Sequence, residues 1–448
     1  MKKVKYSIFP IAIALLLTAC GNAQGNENQG GSSSVAPKND NFTLIDPEDT
    51  SMLTSNCKAY VDAMREQEKS LDDPYMLGDG QLGGEQGVNI DEGDKQDKDR
   101  LYLDTGDVNG KNQSVSGKIP NRSDRNEGVE LKFEVKEGHE AEKYKVLVAD
   151  NEEFENAKEL ETSENKVTVR NLFVNTEYYW KVVTDDEESD VKTFETGDYP
   201  RWITCRSLTG EEDGRGIYNV RDNGGYMTSS GKRVKQGLVY RGGEITSTSM
   251  SGHYNTITEV AKKAFREDMG MVGGIELDLR GTGDIYDSYK ACAFAEDDDI
   301  AYEMHAIKSY NKTFLETRNQ IAPIFEILKT ADKRPVYYHC FGGADRTGTL
   351  GFLLNGLLGV SYTDLVIDFE LTSYSSINNE HIRCHINGHQ HQYDYWPDLI
   401  NQIQTDTTGG YAYDETLPLA DNIENFLVKA CSVSQTTIDT IRDIMLED

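Results

Sequence analysis

The segment from Pro335 to Leu358 leaves the fold least freedom. An apolar run, Pro335 to His339, leads into Cys340-Phe341-Gly342-Gly343-Ala344-Asp345-Arg346-Thr347-Gly348, and apolar residues follow from Leu350 to Leu358. The spacing predicts a buried strand, a glycine-rich turn and a buried helix over 346–358. A glycine-rich turn between a strand and a helix points successive backbone N–H groups inward. Such a nest at the positive end of a helix binds a tetrahedral dianion. Cys340 opens the loop within the same field, which favours its thiolate. Arg346 closes the ring and can hold two phosphoryl oxygens side by side. Thr347 can donate its hydroxyl to the sulfur when Cys340 becomes a leaving group, and His339 can fix the loop through a ring N–H bond.

The surroundings agree with this unit. Between residues 199 and 448, short apolar runs at Gly237–Tyr240, Ile275–Leu279 and Ala301–Ile307 join the run before Cys340, with helical patterns at 257–269 and 312–330. The alternation predicts an α/β layer around a largely parallel sheet.

The string His339-Cys340-x-x-Gly343-x-Asp345-Arg346-Thr347-Gly348 resembles the signature of cysteine-dependent protein tyrosine phosphatases, and within them the bacterial tyrosine/serine phosphatases. Asn219-Val220-Arg221-Asp222-Asn223-Gly224-Gly225 resembles the family's N-x-R-D-x-G-G, and Val234 to Arg241 its following strand. Asp278-Leu279-Arg280 matches its D-L-R strand end, and Gly359 to Ser361 with Asp368 to Thr372 its helical region behind the site. The resemblance covers about 199–440. It implies Cys340 as nucleophile, the amides of Phe341, Gly342, Gly343, Ala344, Asp345 and Arg346 with the Arg346 side chain as the phosphate cradle, and pocket support from Arg221, Asp222, Asp278 and Arg280. Asp345 is the relatives' usual general acid. Asp284 and Asp287, after the D-L-R strand, are alternatives. So is Asp398, because Trp396-Pro397-Asp398 stands after Cys340 instead of before it. The implied substrate is phosphotyrosine, with phosphoserine or phosphothreonine next. Inositol phosphates and phosphoinositides are a further option, disfavoured by Ala344, where many relatives carry Lys. A catalytically silent phosphate-reading surface protein is the remaining alternative. This chemistry needs no cofactor and no metal. His381, His385, His389 and His391, with Cys384 among them, have spacings that could hold zinc, but a solvated or substrate-facing loop is the preferred reading.

The front of the chain differs in character. Met1 to Lys5 carries three lysines, an apolar run extends from Ile8 to Leu17, and Leu17-Thr18-Ala19-Cys20-Gly21 follows. The apolar stretch suits a secretory signal over 1–19 and is too short for an ordinary membrane span. Its end resembles the lipobox of bacterial lipoproteins. The resemblance implies lipidation of Cys20, a lipid anchor in the bacterial cell membrane and an extracytoplasmic location. Residues 20–41, rich in Gly, Asn, Gln and Ser, read as a flexible tether. Residues 42–114 read as poorly structured or helical, with one amphipathic helix from Ser51 to Glu68. From 115 to 197 the apolar residues alternate with period two, as in Val129–Phe133, Lys143–Val148, Lys166–Val169, Glu177–Val183 and Val191–Thr196, which predicts an antiparallel sandwich. Leu172 to Val182, with Thr176, Tyr178, Tyr179 and Trp180, resembles the signature of fibronectin type III domains. That resemblance implies a spacer or a module contacting another protein. The fold class is therefore multidomain: an all-β fibronectin III-like sandwich followed by an α/β tyrosine-phosphatase-like domain over 199–448.

The net charge of −31 argues against non-specific nucleic-acid binding, which needs a basic face, and against charge-driven docking on anionic lipid, while leaving room for a locally positive pocket for one phosphate. The cysteines after Cys20 are widely spaced without a C-x-x-C pair, which points to weakly oxidising surroundings or to buried thiols.

Overall fold

In the second half of the chain, strands whose residues are apolar on both faces can only sit inside a sheet covered on both sides. The computed structural model describes residues 40–67, 126–207, 216–245, 258–281, 299–308, 314–375 and 395–447, and there it builds that sheet. Its strands are Arg221–Asp222 (β8), Val239–Gly242 (β9), Ile275–Asp278 (β10), Ala301–Met304 (β11) and Val336–His339 (β12). Their order across the sheet is β11-β10-β12-β9-β8. β9, β10, β11 and β12 are parallel, while the short β8 is antiparallel to β9. The register sets Gly242, His339 and Asp278 side by side at the carboxyl edge. In open parallel sheets that edge is where ligands bind.

The period of two sorts the side chains between the two faces. Tyr240 and Tyr337 point to one face, where they meet Ala261, Ala264 and Phe265. Those residues lie in the helix Glu259–Lys263 and in the π turn Ala264–Asp268 that continues it. Val239, Leu277, Val336 and Tyr338 point to the other face, toward the larger core. That core is filled by the helices Ile321–Leu328, Asp345–Leu358, Tyr362–Glu370, Leu419–Lys429 and Gln435–Met445. The helix Asp345–Leu358 is buried all round from Thr347 onward, as its mostly apolar sequence from Leu350 onward favours. It stops at Gly359, whose φ of 86° is a left-handed cap.

The front of the described chain forms two antiparallel sheets. Phe42–Ile45 (β1), Val129–Val135 (β2) and Lys166–Val169 (β5) make one, in the order β1-β2-β5. Tyr144–Ala149 (β3), Lys158–Thr162 (β4), Glu177–Val183 (β6) and Lys192–Glu195 (β7) make the other, in the order β4-β3-β6-β7. Alternate residues Val129, Leu131, Phe133, Val146, Val148, Tyr178, Trp180 and Val182 fill the space between them. The amide of Phe173 donates to the Tyr178 hydroxyl at 2.9 Å, pinning the turn before β6.

The region expected to be poorly structured or helical needs correction. Phe42–Ile45 is a strand of the sandwich, paired in register with β2. Asn41, placed in the tether from sequence, already accepts a backbone bond from Lys136 at 2.9 Å. The expected helix exists as Ser55–Gln67 (α1), but it is not a separate element. Cys57, Tyr60, Val61 and Met64 are buried within the same core as the helices behind Cys340. The Tyr60 hydroxyl donates to Glu370 Oε2 at 2.6 Å, and the Tyr60 ring lies 5.4 Å from that of Tyr374. The described residues from 40 onward belong to one compact unit. The signal segment, Cys20 and most of the tether lie outside the described residues, as do 68–125. Cys57, Cys205, Cys340 and Cys431 are free and buried, the second of the two readings offered by the cysteine pattern. No helix among the described residues is long and apolar enough to cross a membrane.

Candidate active site

Cys340 stands at the carboxyl end of the central strand β12 and is only 4% exposed. The loop behind it owes its shape to where its carbonyl groups go. The Cys340 carbonyl lies 3.2 Å from His339 Nδ1. The Phe341 carbonyl accepts from the amide of Glu244 at 3.0 Å. That of Gly342 accepts from Asn219 Nδ2 at 3.0 Å, and that of Gly343 from Arg241 Nη2 at 3.1 Å. Ala344 accepts from the Gly348 amide at 2.8 Å and Asp345 from the Thr349 hydroxyl at 3.0 Å. A peptide plane whose C=O is tied to the scaffold turns its N–H the opposite way. The amides of Gly342, Gly343 and Ala344 donate to no protein acceptor among the described residues. Ala344 is the N-cap of the following helix, and among the described residues no side chain caps it. Unspent amides at a helix N-terminus form an anion cradle.

Gly343 is required by this geometry. Its φ is +68°, and a Cβ there would lie 2.4 Å from the backbone carbon of Gly242. Side chains would both strain the turn and push the loop off the end of β9.

His339 is wholly buried between two acceptors, the Cys340 carbonyl and Glu276 Oε1 at 3.1 Å. An acceptor at each ring nitrogen fixes the orientation of the imidazole, and with it the start of the loop. Behind the loop, Arg241 and Arg221 share the carboxylate of Asp368, with Arg221 Nε 3.4 Å from Oδ1 and Arg241 Nη1 on Oδ2. Burial, with Arg241 nearby, pushes the Arg221 guanidinium below its usual value. Arg241 is close enough to Cys340 for the two to interact electrostatically. Asp368 thus lies between two guanidiniums, one of which also reaches the Gly343 carbonyl of the loop.

The pocket-support residues separate into two kinds. Arg221 bonds Asn219 Oδ1, whose Nδ2 reaches the loop, so it acts from one step behind. Asp222 turns away from the loop. It accepts from Arg201 Nη1 at 2.6 Å and from the amides of Gly224 and Gly237 at 2.8 Å, and so holds the turn and the sandwich contact. Asp278 and Arg280 form a buried clasp, with Arg280 Nη2 2.6 Å from Asp278 Oδ2 and Arg280 Nη1 on Glu244. Burial would raise the Asp278 carboxyl, but His339 and the Arg280 bonds outweigh it and hold it below the usual carboxylate range. Tyr302 adds a bond to Asp278 at 2.9 Å.

Asp345 and Arg346 occupy the first helical turn, both half-buried. Thr347 is fully buried, and its hydroxyl has no partner among the described residues, which leaves it able to donate to the sulfur. Asp398 falls on the helix Tyr395–Thr405. Asp284, Asp287 and the cluster His381, Cys384, His385, His389 and His391 lie outside the described residues. Among those described, no group of three or more His, Cys, Asp or Glu side chains could hold a metal ion. Sequence reasoning missed the roles of Asn219, Arg241, Glu244 and Asp368. The motif N-x-R-D and the strand end at Arg241 were visible, but not which carbonyl each side chain would reach.

No curated protein matches the chain. The profile of the tyrosine phosphatase family matches residues 213–447, which include β8 to β12, the loop after Cys340 and the helices behind it. That match spans more than half of the 448 residues, and the chain belongs to the tyrosine phosphatase family.

Proposed function

We propose that this phosphatase is a cysteine-dependent enzyme that hydrolyses phosphotyrosine, and secondarily phosphoserine or phosphothreonine, monoesters through a phosphocysteine intermediate. The observation that carries the reading is the set of outward-tied carbonyls behind Cys340, with unspent amides at an N-terminus that no described side chain caps. In the first step the Cys340 thiolate attacks phosphorus in line. The P–O ester bond breaks, and its electron pair stays with the leaving oxygen, which takes a proton from the general acid. The amides of 341–346 and Arg346 stabilise the equatorial oxygens as charge gathers on them. In the second step water attacks phosphorus and gives a proton to the carboxylate that the general acid became in the first step, the P–S bond breaks with its electron pair on the sulfur, which the Thr347 hydroxyl steadies by a hydrogen bond, and phosphate leaves. Asp345, in the first turn of the helix that follows the loop, is the proposed acid, with Asp284, Asp287 and Asp398 as alternatives.

A single phosphate suits the site better than a polyphosphorylated inositol. Among the described residues, the buried arginines Arg221, Arg241 and Arg280 beside the loop are committed to Asp368, the Gly343 carbonyl, Asp278 and Glu244. Ala344 adds no charge to the loop. The strand orders β1-β2-β5 and β4-β3-β6-β7, with the Tyr178 bond to the preceding turn, support a fibronectin-type sandwich, read as a spacer or a contact module for another protein. The lysine-led apolar segment and Leu17 to Gly21 support attachment to the bacterial cell membrane, outside the cytoplasm, through lipid on Cys20.

The test is an aryl-phosphate assay of the wild type and of Cys340→Ser. The variant is expected to lose turnover while still binding phosphate analogues, and turnover within about tenfold of wild type would exclude the thiolate mechanism. EDTA is expected to leave the wild type active. A loss restored by zinc would assign a metal to the histidines of 381–391.

A further inference from the structure

The loop carbonyls are held from elements distant in sequence, and two of the holders are side chains, those of Asn219 and Arg241. We infer that Asn219 and Arg241 are positioning residues that aim the amides of the phosphate loop. This rests on the reading of residues 340–346 as the phosphate site.

The Asn219 amide is used from both ends. Its Nδ2 donates to the Gly342 carbonyl at 3.0 Å and to the Thr372 hydroxyl at 3.1 Å, and its Oδ1 accepts from Arg221. Such a group has one orientation, so the Gly342 carbonyl has one place to go. The residue sits at φ 61°, in the left-handed region that asparagine tolerates better than most side chains. Arg241 performs the same task one residue on. One arm of its guanidinium is seated on Asp368 and the other reaches the Gly343 carbonyl at 3.1 Å. Gly351 leaves the room for this, since a Cβ there would lie 2.7 Å from Arg241 Nη1. Asp368 thereby anchors both arginines, and through Arg221 it anchors Asn219 as well.

Both contacts fall on the peptide planes that aim the amides of Gly343 and Ala344. Losing either would let a plane rotate, and the cradle would lose a donor aimed at the equatorial oxygens. Neither residue needs to touch substrate, so the effect should fall on turnover and on oxyanion affinity together.

The test uses the full chain with Asn219→Asp, Asn219→Gly and Arg241→Lys, measuring kcat and KM on nitrophenyl phosphate, inhibition by orthovanadate, and melting temperature. Asn219→Asp is nearly isosteric and retains the Arg221 bond, but sets a carboxylate oxygen against the Gly342 carbonyl. Asn219→Gly keeps the left-handed backbone and removes the clamp. Arg241→Lys keeps charge on Asp368 and loses the second arm. The expected result is a drop in kcat of about tenfold to hundredfold with a parallel loss of orthovanadate affinity, at temperatures where each variant is folded. A merely structural role would lower the melting temperature and leave both unchanged in the folded protein. Values within about twofold of wild type for the variants that fold would overturn the inference. If the Asn219 variants fail to fold, Arg241→Lys decides it by the same criterion. Cys340→Ser is run alongside. Residual turnover there overturns the phosphocysteine reading and the clamp with it, whereas an inactive Cys340→Ser beside unimpaired Asn219→Asp overturns the clamp alone.

Discussion

Asp345 sits in two opposing fields. The helix N-terminus favours its carboxylate, and a phosphate dianion in the loop would favour its protonated form. A general acid matters most for a poor leaving group, because an alkoxide or simple phenolate needs the proton more than a nitrophenolate does. Asp345→Asn is therefore expected to slow phosphotyrosine hydrolysis by about 10²–10⁴-fold and nitrophenyl phosphate hydrolysis far less. Equal slowing of both would assign Asp345 a structural role. The same selective penalty in Asp284→Asn, Asp287→Asn or Asp398→Asn would move the acid there. A second titrating residue lies behind the site. Glu370 is fully buried, and burial pushes its pKa up to about 8 against the opposing bond from Tyr60. The folded protein thus holds a proton that the unfolded chain releases. The associated stability is complete below about pH 4.5 and is lost as pH rises through about 8. Glu370→Gln, which cannot ionise, is expected to be more stable than wild type near pH 8 to 9, by an amount on the order of a few kcal/mol, and to lose that advantage near pH 4 to 5. Superimposable stability–pH curves from denaturant titrations would show that Glu370 does not titrate in this range.

At the scale of elements, legibility followed locality. β2, β3, β5, β6 and β7 were readable because their alternation is carried by their own residues, and β9, β10 and β12 because buried parallel strands are short apolar runs. β4, Lys158–Thr162, is a polar edge strand with little apolar signal. β1 is only Phe42–Ile45, and nothing in it announces a partner as remote as Val129–Val135. The period of α1 was legible but its destination was not: the amphipathic face fits any apolar surface, and the one it fits here lies beside Glu370 and Tyr374. The same limit applied to the site. Cys340 through Gly348 is contiguous and could be read, whereas the reach of Asn219 to Gly342 depends on a left-handed backbone and on chain returns that composition does not encode. Burial of α1 in the catalytic core has a direct consequence. Tyr60→Ala, far from Cys340 in sequence, is expected to destabilise the full chain by about 3–5 kcal/mol in denaturant unfolding followed at the phosphatase activity. Loss of less than about 1 kcal/mol would mean that α1 is docked loosely.

For the molecule as a whole, the contact between sandwich and α/β layer is polar and specific. Arg201, buried, donates to the carbonyls of Leu172 and Asn171 at 3.0 Å and 2.9 Å, pairs with Asp222 at 2.6 Å, and lies 4.1 Å over the Phe173 ring. Gln236 exchanges bonds of 2.9 Å with both backbone groups of Val174, and Asn126 donates to the Trp202 carbonyl at 2.9 Å. Removing one partner of a buried ion pair costs about 3–5 kcal/mol, so the two parts are expected to unfold together. Calorimetry should show one transition in the wild type, and Arg201→Ala should split or broaden it. Two resolved transitions in the wild type would contradict this. The chemistry proposed for the molecule rests on the sulfur of Cys340, at the carboxyl end of the central strand. The most direct measurement is acid-quenched mass spectrometry of the enzyme during turnover of an aryl phosphate. The account predicts one added phosphoryl group on the peptide containing Cys340, absent from Cys340→Ser. Turnover without any phosphorylated Cys340, or with the phosphoryl group on another residue, would contradict it.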